Sequence, residues 1–331
     1  MLRKISGVEI GNYSIKLALC SRNGLLRAQS APLPDNVVKS GRITAPVAAG
    51  EQLRALRRSL RGAPRAAALV LPPSLVVSRR VTLPAMTEQE IALNLPYEFR
   101  DFLKGQNSEY YYDYIVQETV KDSSGKPEKL KLFASAVPSR AIAMYFSLFR
   151  SAGFRLKAAI PPEAALQNLI RGRTDLPQEL AVADIGHTLT SVYFFCGGSF
   201  RAVKRIEAGS SLVDEAVAYE KNMDVHIARN YKENDLEQVQ TLETCKNAYN
   251  NLAVEIMKAI NFYSYENRSG TLRDIYCIGG GSDLKPLLEV IRHTTEKTLH
   301  PASELVPCGS QGCFSAPDCV LAAGAAMQAV R

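Results

Sequence analysis

Val8-Glu9-Ile10-Gly11-Asn12-Tyr13-Ser14-Ile15-Lys16 and Ala183-Asp184-Ile185-Gly186-His187-Thr188-Leu189-Thr190 are two copies of one pattern. In each, an apolar strand ends in an acidic residue and a Gly, a hydroxyl-bearing turn follows, and a second strand leaves. One supersecondary unit used twice predicts two related lobes facing each other across a cleft. Gly11 and Gly186 let backbone N–H groups approach phosphate oxygens with no Cβ in the way. Hydroxyls at Ser14, Thr188 and Thr190 can donate to the same oxygens, with Asn12, Lys16 and His187 beside them. Glu9 and Asp184 supply the one or two carboxylates that hydrated Mg²⁺ prefers. A third motif, Gly279-Gly280-Gly281-Ser282 at a strand end before a helix, suits a flat adenine or ribose lying against bare backbone. Each residue also has a plainer use: Asp184 can cap a turn, Lys16 can be solvated, and Thr188 and Thr190 can sit on a sheet face.

Bulk composition narrows the class. The chain has 331 residues, 46% hydrophobic and 22% charged, enough for two domains with real cores. No apolar run approaches the ~20 residues a membrane span needs, and Glu9 interrupts the start before any signal-peptide h-region forms. The expectation is a cytosolic protein, or one held at a membrane only through a partner. Seven cysteines are no disulfide framework at this size; Cys20, Cys196 and Cys277 read as small buried hydrophobes. Cys308, Cys313 and Cys319 are too loosely spaced for a zinc site, with His293 and His300 the nearest imidazoles. Residues 1–80 hold 14 Lys and Arg against Glu9, Asp35 and Glu51, a local charge of +11, while the remainder carries −4. A helix over Glu51–Gly62 turns Leu53, Leu56 and Leu60 inward and Arg54, Arg57, Arg58 and Arg61 outward. Such a face is solvated, or docks an anionic surface or acidic partner; without aromatic interleaving or a recognition helix, nucleic acid is not expected.

Along the chain, strands are predicted over 5–11, 14–20, 25–30, 67–71 and 76–83. Thr87 and Glu90 form a capping box ahead of a helix carrying Ile91, Leu95 and Phe99. Tyr110–Val120 and Leu130–Val137 make a hairpin with a polar tip. A helix over Ser139–Ala152 places Ile142, Tyr145, Phe146 and Phe149 on one face and ends at Gly153. Beyond Leu180 the opening repeats, followed by helices, a long one around Leu242–Glu266, and a small-residue helix from Ala322 to Val330.

The order of these motifs resembles the actin-like ATPase superfamily of actin, sugar kinases and FtsA, and within it the type IV pilus assembly protein PilM family. Gly7 through Lys16 match the family's G-I-D-I-G-x-x-x-[VI]-K, with Glu9 in place of Asp. Leu83-Pro84, Glu90 and Tyr112-Asp113-Tyr114 fit the next block. Ala136, Pro138, Tyr145 and Ala152-Gly153-Phe154 fit the one after, and Asp184-Ile185-Gly186 with Thr190 the second phosphate block. The resemblance implies an α/β actin-like ATPase fold, two ribonuclease-H-like lobes around a central cleft with an inserted α+β subdomain. Its division would be 1–82 and 156–178, first lobe; 83–155, insertion and connecting helix; 179–331, second lobe. It also implies Lys232 as an adenosine contact, in a block where Arg229 replaces a ribose-binding Glu, and Glu163, shifted by one residue, as the catalytic acid. ATP and Mg²⁺ are the implied cofactors. The implied partner is the cytoplasmic N-terminal peptide of a PilN-like membrane subunit, gripped in the insertion near Tyr112 and Tyr114, with pilus motor ATPases beyond it. An actively hydrolysing ATPase, an FtsA-type filament former and a nucleotide-free scaffold are the alternatives. The Glu9 and Arg229 departures favour nucleotide binding with little turnover.

Overall fold

The computed structural model describes residues 4–267, 272–307 and 319–330. The chain opens with β1 (Ile5–Ile10), β2 (Ser14–Ser21) and β3 (Gly24–Pro32), a small hairpin of β4 (Val38–Lys39) and β5 (Arg42–Ile43), and helix α1 (Pro46–Ser59). β6 (Ala66–Val70) and β7 (Val77–Pro84) lead to α2 (Glu88–Glu98) and the long hairpin of β8 (Tyr110–Lys121) and β9 (Pro127–Pro138). α3 (Ser139–Ser151), β10 (Arg155–Ile160) and α4 (Pro162–Ile170) follow. Then come β11 (Glu179–Ile185), β12 (Thr190–Cys196), β13 (Ser199–Ile206), α5 (Ser211–Lys221), α6 (Val225–Asn234) and α7 (Glu243–Asn267). β14 (Asp274–Ile278), α8 (Lys285–Thr295), β15 (Thr298–Pro301) and α9 (Val320–Val330) complete the described elements.

Two five-stranded sheets carry the repeat, and their orders match. From one edge they run β3-β2-β1-β6-β10 and β13-β12-β11-β14-β15, each with an antiparallel hairpin start and a parallel remainder. Register matches too: Glu9 faces Lys16 across the first hairpin, and Asp184 faces Ser191 across the second. Ser191 is therefore the counterpart of Lys16. A third sheet, β7-β9-β8, with α2 on one side, makes its own small core of Val81, Leu83, Ile91, Leu95, Phe99 and Leu132. There the capping box forms as read: Glu90 N–H donates to Thr87 Oγ1 at 3.3 Å and Thr87 N–H to Glu90 Oε2 at 2.7 Å.

Between the two large sheets lie α4 and α9. Ala165, Leu166, Ala322, Ala323, Ala325 and Ala326 share one core with Ile5, Ala18 and Val70 of the first sheet and Leu180, Tyr193 and Ile278 of the second. Small residues let α9 lie almost on the backbone of β1.

Several expectations need correction. α1 starts at Pro46, five residues before the reading at Glu51, because Pro is at home at a helix start and Gly50 is buried where α1 crosses Ser151 of α3. Phe146 does not face inward: it is 53% exposed and Leu148 takes its place in the core. Cys196 is half-buried, not buried, at the end of β12. Cys319 is buried at the start of α9, while Cys308 and Cys313 lie outside the described residues. His300 is held by Asp274 and Glu304, at 2.8 and 2.9 Å, and stacks on Tyr276. Among the described residues no group of three or more His, Cys, Asp or Glu side chains is placed to hold a metal, and no helix is long and apolar enough to cross a membrane.

Candidate functional site

The C-terminal ends of β1, β6 and β11 open onto a cleft of about 1030 Å³. Glu9, Gly11, Asn12, Ser14 and Lys16 line it from one side and Asp184, Gly186, His187, Thr188 and Lys232 from the other, with Gly280 at the end of β14. Both glycine turns are built alike: Gly11 N–H donates to the Ser14 carbonyl (2.9 Å) and Gly186 N–H to the Leu189 carbonyl (3.0 Å). A Cβ at Gly186 would come within 2.6 Å of that carbonyl, so the turn itself demands glycine there.

The two carboxylates lie close enough to feel each other. Lys16 Nζ donates to Glu9 Oε1 at 2.8 Å, while Glu9 Oε2 is buried without a hydrogen-bond partner. Burial, then the negative charge of Glu9, push the Asp184 carboxyl up to about 7, and Lys16 draws it part of the way back. An orphaned carboxylate oxygen beside a second carboxyl that resists ionisation is a setting a hydrated divalent cation relieves. Glu9 and Asp184 thus fit Mg²⁺ by donor chemistry.

Not every expected residue reaches the cleft. Thr190 is fully buried and donates to the Ala208 carbonyl (2.8 Å); Ser282 caps its own turn by donating to the Gly279 carbonyl (2.6 Å). Gly279 has φ +84° and a Cβ there would meet Asp184 Oδ1 and the Ile185 carbonyl, both at 2.6 Å. Gly281 is pressed on the Ile185 side chain. Those two glycines serve the close approach of β14 to β11, and only Gly280 presents open backbone. Glu163 is 1% exposed at the start of α4, behind Arg205, whose guanidinium lies 3.2 Å from its Oε1 and itself lines the cleft. Burial raises the Glu163 carboxyl above its usual range, with its own backbone N–H and Arg205 opposing.

Lys232 is in the wall, but its ammonium is turned away from the opening. It lies 2.5 Å from Asp214 Oδ1, off the hydrogen-bond direction, and donates to the Ser210 carbonyl at 3.3 Å. Asp214 is fully buried and also takes Arg229 Nε at 3.1 Å. Arg229 continues outward over the Tyr13 ring (4.6 Å) and against His187 Nε2 (3.2 Å). Desolvation, with Arg229 close by, holds His187 down at about 4, so its imidazole is neutral near pH 7 and brings no charge to a phosphate. The Tyr13 ring lies tilted against His187 (5.2 Å) and its hydroxyl donates to Glu233 Oε1 (3.1 Å); Asn12 Nδ2 donates to Thr188 Oγ1 (2.6 Å). The first turn is thereby tied to the second lobe at two points.

Sequence reading missed Arg205, Ser191 and the Gly209-Ser210 turn. Ser210 N–H donates to the Gly186 carbonyl (3.0 Å) and Ser211 N–H to the His187 carbonyl (2.8 Å), fixing the second turn on the start of α5. Gly-Ser-Ser between a strand and a helix was a usable sign, and the hairpin repeat pointed to Ser191.

A second concavity, about 310 Å³, lies where the three-stranded sheet meets the first large sheet. Tyr111–Ile115 of β8 form one wall and Leu156–Ile160 of β10 the other, with Ile142 and Phe146 of α3 alongside. β8 and β10 are edge strands of their sheets.

A family model described as type IV pilus assembly protein PilM matches residues 7–305. Among solved structures, the chain is similar to one described as a PilM-PilN type IV pilus biogenesis complex, at 22% identity and TM-score 0.82 over 99% of this chain and 98% of that one. It is also similar to the ethanolamine utilization protein EutJ from Carboxydothermus hydrogenoformans, at 16% identity and TM-score 0.63 over 98% and 89%. A diol dehydratase-reactivating factor in nucleotide-free form matches at 11% identity and TM-score 0.56 over 99% and 100%. At these identities the likeness is one of fold. No curated protein matches the chain.

Proposed function

Because the chain belongs to the type IV pilus assembly protein PilM family and has the actin-like ATPase fold, we propose that it is a cytoplasmic adaptor of the pilus inner-membrane platform. It takes the N-terminal cytoplasmic peptide of a PilN-like membrane subunit in the groove between β8 and β10, and ATP between its lobes. Residues 1–82 with 156–178 and residues 179–331 are its two lobes, and 83–155 the insertion that supplies one wall of the groove. Its hold on the membrane is through the partner, with the pilus motor ATPases as further contacts.

The observation that carries the partner reading is a groove between two unpaired strand edges. An extended peptide laid there gains main-chain hydrogen bonds from β8 or β10, and pockets lined by Ile142, Phe146 and Ala158 take alternate side chains. Phe146, half in water and idle in the core, gains a role at the groove mouth. Phe146→Glu should leave the melting temperature unchanged and weaken a fluorescent N-terminal partner peptide by roughly 10- to 100-fold, about 1.4–2.7 kcal/mol. Unchanged anisotropy titrations in the variant would remove the peptide from this groove.

For the nucleotide, Glu9 and Asp184 hold Mg²⁺, the Gly11 and Gly186 turns with Ser14, Lys16 and Thr188 cradle phosphates, and Gly280 lies under the base or ribose. The cation would neutralise charge on the phosphates; Lys16, already paired with Glu9, shares that work. Arg229, anchored to Asp214 and covering Tyr13, stands where the family resemblance implies a ribose-binding Glu, which favours weak binding with little turnover. Calorimetric titration with ATP plus Mg²⁺ should give a micromolar or weaker site that Asp184→Ala weakens at least ~10-fold, about 1.4 kcal/mol. No heat at millimolar nucleotide would favour the nucleotide-free scaffold.

A further inference from the structure

The two ends of the first sheet differ in charge. Glu9 lies at the cleft end, and Asp35 reaches His226 of the second lobe from the loop after β3. At the opposite end, where β1, β6 and β10 begin and β2 turns into β3, the charged residues that the described strands and turns of this sheet carry are basic. Arg22 sits in the β2–β3 turn, Arg65 just ahead of β6, and Arg155 opens β10 beside it, its N–H donating to the Arg65 carbonyl. The end of α1 adds Arg58 and Arg61, and Arg27 donates to the Arg61 carbonyl, tying the β3 side in. Arg54 and Arg57 hold α1 to the end of α3, the first by donating to the Ser151 carbonyl, the second by lying over Phe154.

Arg22, Arg27, Arg58, Arg61, Arg65 and Arg155 are all exposed. Among the described residues none lies within ion-pair distance of a carboxylate, whereas the second lobe pairs Lys246 with Glu243, Lys258 with Glu255 and Arg292 with Glu289. A shared surface of unneutralised guanidiniums repels itself and stores a demand for anions.

We propose that this arginine rim docks directly on an anionic phospholipid surface. Three observations choose that occupant. The charges are arginines, whose planar forks match phosphate oxygens. They spread over a helix end, a strand edge and two turns, a broad face suited to a bilayer; among the described residues no aromatic ring lies over any of the six guanidiniums to stack with a base. The rim also adjoins the proposed peptide groove: Arg155 is two residues from Lys157, which lines that groove. A peptide anchored in a bilayer and seated in that groove brings the rim to the headgroups. This last step rests on the partner reading; the lipid contact is tested without the partner.

The experiment is co-sedimentation of the full chain with vesicles of phosphatidylcholine alone or mixed with phosphatidylglycerol. The protein should pellet with the mixed vesicles only, and less as salt shortens the Debye length below about 10 Å. Arg58→Gln, Arg61→Gln, Arg65→Gln and Arg155→Gln together should cut binding at least tenfold. The same charge removed from the second lobe, at Lys246, Lys258, Arg273 and Lys285, should not. None of the four rim guanidiniums makes a described hydrogen bond, and matched melting curves check that both variants fold. Absent binding to phosphatidylglycerol, equal binding to neutral vesicles, or equal losses in the two variants would each overturn the proposal. So would binding of duplex DNA in place of vesicles. Retained peptide binding beside lost vesicle binding separates this failure from failure of the adaptor reading.

Discussion

Asp214→Ala is expected to lower the unfolding free energy by about 3–5 kcal/mol, the range for removing one partner of a buried charge pair. The melting temperature should fall by roughly 10 °C. Asp214 stands on the first turn of α5 with no exposed surface, and Lys232, 5% exposed, and Arg229 both reach it from α6. Without it two cations remain in a site that, among the described residues, leaves the Ser210 carbonyl as the ammonium's acceptor. α6 must then lift from α5, or water must enter. The damage should reach the second turn, because α5 begins by holding the Gly186 and His187 carbonyls. Asp214→Leu combined with Lys232→Met and Arg229→Met separates lost pairing from stranded charge, since an apolar replacement of a whole buried ionic cluster is often neutral. Chemical denaturation of the single and triple variants decides it. A single-variant loss under about 1 kcal/mol would mean the pairing contributes little to joining the two helices.

That cluster also marks where reading the sequence stopped working. The hairpin repeat was legible because its determinants are local: an acidic residue, a Gly and a hydroxyl within a few positions, flanked by alternating strands. The match in strand order between the two sheets follows from that repeat. The capping box at Thr87 and Glu90 was readable for the same reason. What a side chain does once it arrives is set by residues far off in the chain. Lys232 occupies the cleft wall, yet Asp214, eighteen positions away, turns its ammonium aside. Gly279 and Gly281 looked like a floor for a base, and their glycine character comes from Asp184 and Ile185, nearly a hundred residues earlier. Phe146 was assigned to the helix's inner face by spacing alone, which cannot distinguish a core from the mouth of a groove. β15 escaped because four residues, Thr-Leu-His-Pro, show no alternation long enough to read.

Gly7→Ala is the second substitution expected to have a large effect, about 3 kcal/mol, at the upper end for overpacking a core. A Cβ at position 7 would sit 1.7 Å from the Ala322 carbonyl oxygen and 3.1 Å from Ala326 Cβ. The first of these is backbone, so no rotamer change relieves it and α9 as a whole has to move off β1. α9 cannot retreat freely, since Gly324 rests on α4 with only 2.2 Å between a Cβ there and the Ala165 carbonyl. β1, α9 and α4 are thus spaced by two glycines, in the core that joins the sheets of both lobes. Gly280→Ala supplies the comparison: its Cβ would meet nothing within 4 Å and its φ is not left-handed, so its cost should stay within about 0.5 kcal/mol. Ala326→Gly should not rescue Gly7→Ala, because the decisive clash is with the carbonyl of Ala322 and not with a methyl group. Urea melts of the three variants test this ordering, and a rescue by Ala326→Gly would show that α9 crosses β1 at a different register. If the ordering holds, any movement of the lobes about the cleft has to pivot on a helix that tolerates no added methyl group. α4 starts at the Glu163–Arg205 pair and carries Ala164 and Asn168 in the lining of the second concavity, so a shift of α9 would disturb both the cleft wall and that concavity.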